Sequence, residues 1–320
     1  MAEFRTYTAI GQREDLSNTI FNIAPTETPV VSSIGKTKAT ATYHEWQTDD
    51  LAAASAAGLL EGADASGASD TPTTRVGNRT QIQGKTVHVS GTLDAVDKAG
   101  RKTETAYQLA KAGQELKRDM EKTILGNVAA SNGTAGSAAR LLGSIQTWLG
   151  TNFVTMTDGV APVGANGTAT RTEGATASAF TEAKLKEVVK SCFENGGNPT
   201  LLVVPPTQKQ VVSTFAGIAE QRYQAPAAKA TTIIGAADVY LSDFGTLSVV
   251  PDRFMTADTT PDAEQALVLD PTMASVATLR PFESNLLAKT GDSEKHQMLV
   301  EYTLQVSNEK AHGIVADLAV

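Results

Sequence analysis

The chain holds a single cysteine, Cys192, among its 320 residues. That excludes an internal disulfide framework and leaves no cysteine set for a structural zinc site. Cys192 falls in the apolar stripe of an expected helix and reads as a small buried hydrophobe. Aromatic residues make up only 5% of the chain, which suits strands, loops and close contacts better than a deep ligand pocket. No apolar run approaches the roughly 20 residues that span a bilayer. The opening MAEFRTYTAI has no apolar signal core. The expectation is a soluble protein with no membrane partner. Basic residues are also in deficit: 27 Lys and Arg stand against 35 Asp and Glu, a net charge of -8. Such a protein is repelled by phosphate backbones, which argues against a sequence-specific DNA-binding face.

Catalytic motifs are missing as well. Gly35-Lys36-Thr37 and Gly84-Lys85-Thr86 invite a phosphate-loop reading, but that loop needs a glycine five residues earlier. Val30 and Arg79 stand there instead. The four histidines, His44, His88, His296 and His312, form no HExxH and no close His/Cys cluster. His44 and Glu45 are neighbours in an expected strand, so they point to opposite faces. There is no G-x-S-x-G elbow. The expectation is a chain with no enzymatic activity, no cofactor and no metal.

What is present is a succession of elements that form an α+β chain. Residues 1–38 read as an arm whose apolar side chains, among them Phe4, Tyr7 and Phe21, are too scattered for a core of their own. Residues 39–49 and 75–90 carry strand patterns and read as one long hairpin. Its tip is acidic through Asp50, Glu61, Asp64 and Asp70, and its return strand is basic through Arg75, Arg79 and Lys85. Two-stranded ribbons are marginal alone in water, so these ten residues are the candidate contacts with a neighbouring molecule. Residues 92–125 read as one helix of about 50 Å, with Leu109, Gly113, Leu116, Met120 and Ile124 on one face. Its expected ion pairs are Asp94–Lys98, Asp97–Arg101 and Lys117–Glu121.

A loop-rich stretch follows, holding one short apolar helix near Leu141–Leu149. A second amphipathic helix spans about 181–193, with Leu185, Val188, Val189 and Cys192 inward. Short buried strands are expected at Leu201–Val204, Val239–Leu241, Leu247–Val250 and Ala266–Leu269, with a helix through Val211, Phe215 and Ile218. Strict alternation from Met298 to Ser307 reads as a long half-buried strand. A turn at Ser307–Lys310 then brings Ile314, Ala316 and Leu318 back.

Some segments carry a family likeness. Gln12-Arg-Glu-Asp-Leu16-Ser-Asn18, Ile23-Ala-Pro25-Thr-Glu27-Thr-Pro29 and His44-Glu-Trp46-Gln-Thr48-Asp with Leu51-Ala resemble the N-terminal half of tailed-phage major capsid proteins of the Johnson, or HK-97-like, fold. Gly196-Gly-Asn-Pro199, Leu201–Val204 and Gln208-Lys209 match the same pattern. The resemblance implies an N-terminal arm at 1–38 and an E-loop hairpin at 39–90. It implies a peripheral domain at 91–194 and 271–320 with a spine helix at 92–125, and an axial domain at 195–270. The implied function is a virion shell subunit, assembled in the host bacterial cytoplasm into pentamers and hexamers of an icosahedral or prolate head around double-stranded DNA. Its implied partners are further copies of itself, a portal, separate scaffolding or decoration proteins, and packaged DNA bound without sequence specificity. A nanocompartment shell of the encapsulin type shares the fold and stands as the alternative.

Overall fold

The computed structural model describes residues 24–58, 60–62, 64, 71–155, 158–215, 238–255 and 264–319. Phe4, Tyr7, Phe21, Asp70 and Ile218 lie outside the described residues. In chain order the strands are β1 (Gly35–Lys38), β2 (Tyr43–Thr48), β3 (Thr74–Arg79), β4 (Gln81–Ser90), β5 (Phe153–Val154), β6 (Leu201–Val204), β7 (Val239–Ser242), β8 (Gly245–Pro251), β9 (Ala266–Leu269), β10 (Ala274–Leu286), β11 (Ser293–Val306) and β12 (Gly313–Val315). The helices are α1 (Pro29–Ser33), α2 (Gly91–Ala95), α3 (Glu104–Leu125), α4 (Glu182–Glu194) and α5 (Pro206–Val212). They build a four-stranded sheet in the order β1-β10-β11-β4, a six-stranded sheet in the order β5-β12-β9-β6-β8-β7, and the ribbon β2-β3.

The alternating strand is present and begins earlier than its alternation, at Ser293. Val300, Tyr302, Leu304 and Val306 of β11 are buried in the first core, as the pattern predicts. However, Glu301 and Thr303 on the opposite face are buried too, so this stretch is covered on both sides. Helix α3 lies along the sheet with Ala112, Leu116, Met120 and Ile124 buried. A polar chain stitches helix to sheet. Tyr302 Oη donates to Gln83 Oε1 at 3.0 Å, and Gln83 Nε2 donates to Thr123 Oγ1 at 2.7 Å.

The expected single spine helix is two helices. Ser90 caps α2 by accepting from Leu93 N, and the chain then breaks through Gly100 at φ +76. Asp94, expected inside one long helix, instead accepts from Glu104 N at 2.8 Å and caps the start of α3, where the helix dipole favours a carboxylate. Of the three expected ion pairs, Asp94–Lys98 forms at 3.9 Å. Arg101 pairs with Glu104 rather than Asp97, and Glu121 turns inward to α1. With 22 residues, α3 is about 33 Å long.

The long hairpin is likewise shorter than expected. Only β2 and β3 pair with each other, from Tyr43↔Arg79 to Thr48↔Thr74. The rest of the return segment is β4, which pairs with β11 from Gln81↔Tyr302 to Ser90↔Ser293. The last strand also differs. β12 does not fold back on β11 but joins the six-stranded sheet between β5 and β9.

That sheet separates two cores, which is why β6, β9 and β12 are apolar without alternation. Leu201, Val203, Leu267, Leu269 and Ile314 face the first core, with Ile145, Trp148 and α3. Leu202, Val204, Ala266, Val268 and Val315 face the second, under α4. There Leu185, Val188, Val189 and Cys192 are buried as their spacing predicts.

The chain passes between the two sheets three times, and two of the crossings are short, between β9 and β10 and between β11 and β12. His312 in the second short crossing pins the first. Its Nδ1 accepts from Asp270 N at 3.1 Å, and its Nε2 lies 3.4 Å from the Met273 carbonyl oxygen. Burial pushes the imidazole down to about 4, against the opposing pull of the Met273 carbonyl and Asp270. A base depressed on folding contributes stability above its unfolded pKa, and that contribution is lost as pH falls towards the folded one. The subunit should therefore lose up to roughly 3 kcal/mol between about pH 6.5 and pH 4 from this group. Urea midpoints measured across that window should fall less steeply in His312→Gln, and equal slopes would refute the assignment.

Candidate assembly surface

The ribbon β2-β3 is held at its root by buried contacts, and the described residues beyond it are exposed. Side chains of β2 alternate, so that His44 and Trp46 face the subunit while Tyr43, Glu45 and Gln47 face solvent. His44 Nε2 lies 3.0 Å from Gln305 Oε1, and the Trp46 ring sits 5.3 Å from that of buried Trp148. Asn78, fully buried, donates to the carbonyls of Gly143 and Leu304 and accepts from Gly143 N, each at 2.8 Å.

Beside it, Glu301 accepts from Arg140, from Thr80 Oγ1 at 2.8 Å and from Arg280 Nε at 2.8 Å. Two arginines thus neutralise one buried carboxylate where the ribbon joins β4. Removing one partner of such a group leaves the rest uncompensated, so the root resists bending. Asn78, Arg140 and Glu301 were not singled out from the sequence. Glu301 occupies a strand position whose alternation reads as wet.

Beyond Thr48 and Thr74 the cover stops among the described residues. Leu51 is 98% exposed and Leu60 83% exposed, far more than isolated apolar side chains require. Asp50, Glu61 and Asp64 are exposed in the same stretch, with Asp50 reaching Lys310 at 2.7 Å. The expected basic residues find partners at home. Arg75 Nε donates to Glu45 Oε1 at 2.7 Å, and the Arg79 guanidinium lies over the Tyr43 ring, 4.9 Å from its centroid. The Arg75 bond holds the Glu45 carboxyl below its ordinary range. Lys85 is not on the ribbon. It stands on β4 and pairs with Asp119 of α3 at 2.8 Å.

Neither Gly-Lys-Thr tripeptide lies in a strand-to-helix loop. The first is in β1 and the second inside β4. Gly84 serves packing, because a Cβ there would stand 2.5 Å from Leu299 Cδ2. Among the described residues no group of His, Cys, Asp and Glu is arranged to hold a metal ion, and no helix is long and apolar enough to cross a membrane. The groove between β4 and α3 encloses about 300 Å³ and is lined by Lys85, His88, Glu104, Lys111 and Glu115. These charged side chains alternate with Val87, Val89, Leu93 and Ala112, and the lining presents no cysteine or serine beside a base.

A helix-backed sheet, a second sheet closed over its own core and a projecting ribbon together make up the HK-97-like fold. Solved structures share it at low identity. The cyanophage A-1(L) capsid asymmetric unit aligns with a TM-score of 0.67 and 12% identity, over 96% of this chain and 97% of that one. A chain of Mycobacterium phage Ogopogo aligns at 0.60 and 14% identity, over 99% and 100%. The capsid of the native GTA particle aligns at 0.59 and 12% identity, over 98% and 97%.

The sequence profile of the SU10 major capsid protein family matches residues 4–319, and the chain belongs to that family. The major capsid protein of Escherichia phage Phieco32 is 39% identical over 123 residues. That alignment spans 38% of this chain and 35% of the relative.

Proposed function

We propose that the protein is the structural subunit of a phage head, building pentamers and hexamers of a closed icosahedral or prolate shell around double-stranded DNA. The observation that carries this reading is the ribbon, held at its root and uncovered at Leu51 and Leu60. A projection of that kind needs a surface outside its own subunit. Asp50, Glu61, Asp64, Asp70, Arg75, Arg79 and Lys85, with the arm residues Phe4, Tyr7 and Phe21, are the proposed contacts between subunits. Arg75 stays 69% exposed beside Glu45, so its intramolecular pair leaves it accessible to a neighbour.

In this reading residues 1–38 are the arm and 39–90 the E-loop segment. The peripheral part comprises 91–194 and 271–320, and the axial part 195–270. The second core supports an axial unit, and β5 and β12 complete its sheet from either side of that range. The subunit assembles in the host cytoplasm with portal, scaffolding and decoration proteins. With a net charge of -8, it encloses DNA without reading its sequence, and it performs no catalysis.

Sedimentation and electron microscopy of the purified protein test this. The expected result is rings or closed shells, and a stable monomer at every concentration would refute it. Arg75→Glu with Arg79→Glu should lower shell yield while circular dichroism of the free subunit stays unchanged. Wild-type yield should respond to salt as the screening length shortens below about 10 Å. If the double variant assembles like wild type, backbone and apolar contacts hold the ribbon and its charges do not.

A further inference from the structure

Two carboxyl groups lie within hydrogen-bonding reach of each other in the dry interior where three parts of the chain converge. Glu121, about one turn before the end of α3, and Asp252, just after β8, are both fully buried. Glu121 Oε1 accepts from Val30 N at 2.6 Å and Oε2 from Val31 N at 2.8 Å, so it also holds α1. Asp252 Oδ1 accepts from Phe254 N at 2.7 Å. Asp252 N donates to the Val204 carbonyl at 2.9 Å, which anchors this loop to β6. Asp252 Oδ2 is buried, and no donor reaches it when both acids are ionised. Two bare carboxylates in contact, away from water, repel each other strongly, and an orphan buried acceptor adds its own cost. One proton removes both problems.

We propose that Glu121 and Asp252 share a single proton, and that this proton is a latch joining the spine helix to the loop that leaves the six-stranded sheet. Closed, the pair is one carboxylic acid donating to one carboxylate. When bulk base removes the proton, the acid O–H bond breaks and two carboxylates remain. Glu121 keeps its two amide donors, so Asp252 is the partner that leaves, carrying Phe254 and Met255 with it.

The surrounding charges do not replace the proton. α1 carries no titratable side chain. On α3, Arg118 stands one turn before Glu121 with its guanidinium over the Phe254 ring, 5.6 Å from the centroid. Its Nε is buried without a partner. Lys117 and Lys122 on α3 and Arg253 on the loop are exposed.

Burial pushes the Glu121 carboxyl up to about 8, with Asp252 adding to the rise and the Val31 and Val30 amides opposing it. Burial raises Asp252 as well. An acid raised on folding contributes stability in full below its ordinary range, and that contribution is lost as pH climbs through the folded value. The latch is therefore closed at neutral pH and opens on the alkaline side. It is a property of the single subunit and stands apart from the shell reading.

Hydrogen exchange of the full chain, read on the peptide covering 247–255 against β11 as internal reference, tests the latch. After correction for base catalysis, opening in wild type should rise by about tenfold per pH unit above the midpoint, the slope of one proton. Asp252→Asn keeps the acceptor for Phe254 N and supplies a permanent donor to Glu121, so its excess exchange should be flat with pH. Glu121→Gln, which donates to Asp252 without titrating but gives up one of the two amide bonds to α1, is the second variant should the first fail to fold. An absence of excess exchange in wild type would overturn the latch. So would a transition that persists in either folded variant.

Discussion

Trp148→Ala is expected to destabilise the free subunit by about 3–5 kcal/mol. Trp148 is 2% exposed and belongs to the first core. It sits at the end of a single turn, Ile145–Thr147, where the sequence predicts a short helix. The surrounding chain is shaped to its ring. Gly167 adopts φ +78, and a Cβ there would come within 2.7 Å of Trp148 Cζ2. Truncation leaves a void bounded by rigid backbone, so the site cannot collapse to recover the lost contacts.

The effect should also travel to the ribbon, because Trp46 of β2 packs its ring on Trp148. The chain has two tryptophans, so Trp46 is the only indole fluorophore left in the variant. Its emission should shift to the red as water reaches it. Urea unfolding gives the stability loss and fluorescence gives the loosening of the ribbon root. A loss under about 1 kcal/mol, or an unmoved spectrum, would show that the root is held by Asn78 and Glu301 without the aromatic pair.

Arg171→Met should cost a comparable amount, about 3–5 kcal/mol, for a different reason. The Arg171 side chain is wholly buried. Its Nε donates to Gln146 Oε1 at 2.7 Å and its Nη2 to Gln265 Oε1 at 3.3 Å. It forms ion pairs with Glu173 at 2.6 Å and with Asp317 at 3.5 Å. Asp317 is itself 1% exposed and accepts from Thr155 Oγ1 and from Gly174 N. Removing the arginine leaves that carboxylate buried without its cation, and the penalty is mainly Asp317's. Asp317→Asn in the same background should therefore recover part of the loss. Asparagine also tolerates the left-handed backbone at this position, φ +57. A double-mutant cycle by urea unfolding should show coupling of about 0.5–3 kcal/mol. Strictly additive losses would mean that Arg171 acts through packing alone.

These two sites divide along the line between local pattern and distant partner. The amphipathic rhythm of Leu185, Val188, Val189 and Cys192 was enough to define α4 and its buried face. The apolar runs at Leu201–Val204 and Ala266–Leu269, and the alternation through Met298–Val306, were enough to define β6, β9 and the later part of β11. The likeness to phage capsid proteins was legible in the same way, in short segments before any coordinate. Periodicity is written by neighbours a few residues apart, so it survives in the sequence alone.

What covers each face is not written there. Glu301 meets Arg140 from 161 positions away, and Glu121 meets Val30 from 91. An acid in a strand or helix pattern reads as solvent-facing until its partner is known. The break before α3 is hidden from the sequence for a related reason. Asp94 satisfies the i, i+4 pairing with Lys98 and the dipole rule in one long helix as well as it caps the start of a shorter one. Only the return of the chain at Gly100 decides between them. The same holds for the end of the chain. Ile314 and Val315 are apolar enough to pair with any open edge. Only the tertiary structure decides that they close the six-stranded sheet beside β9, because the gain depends on which buried edge is left unpaired.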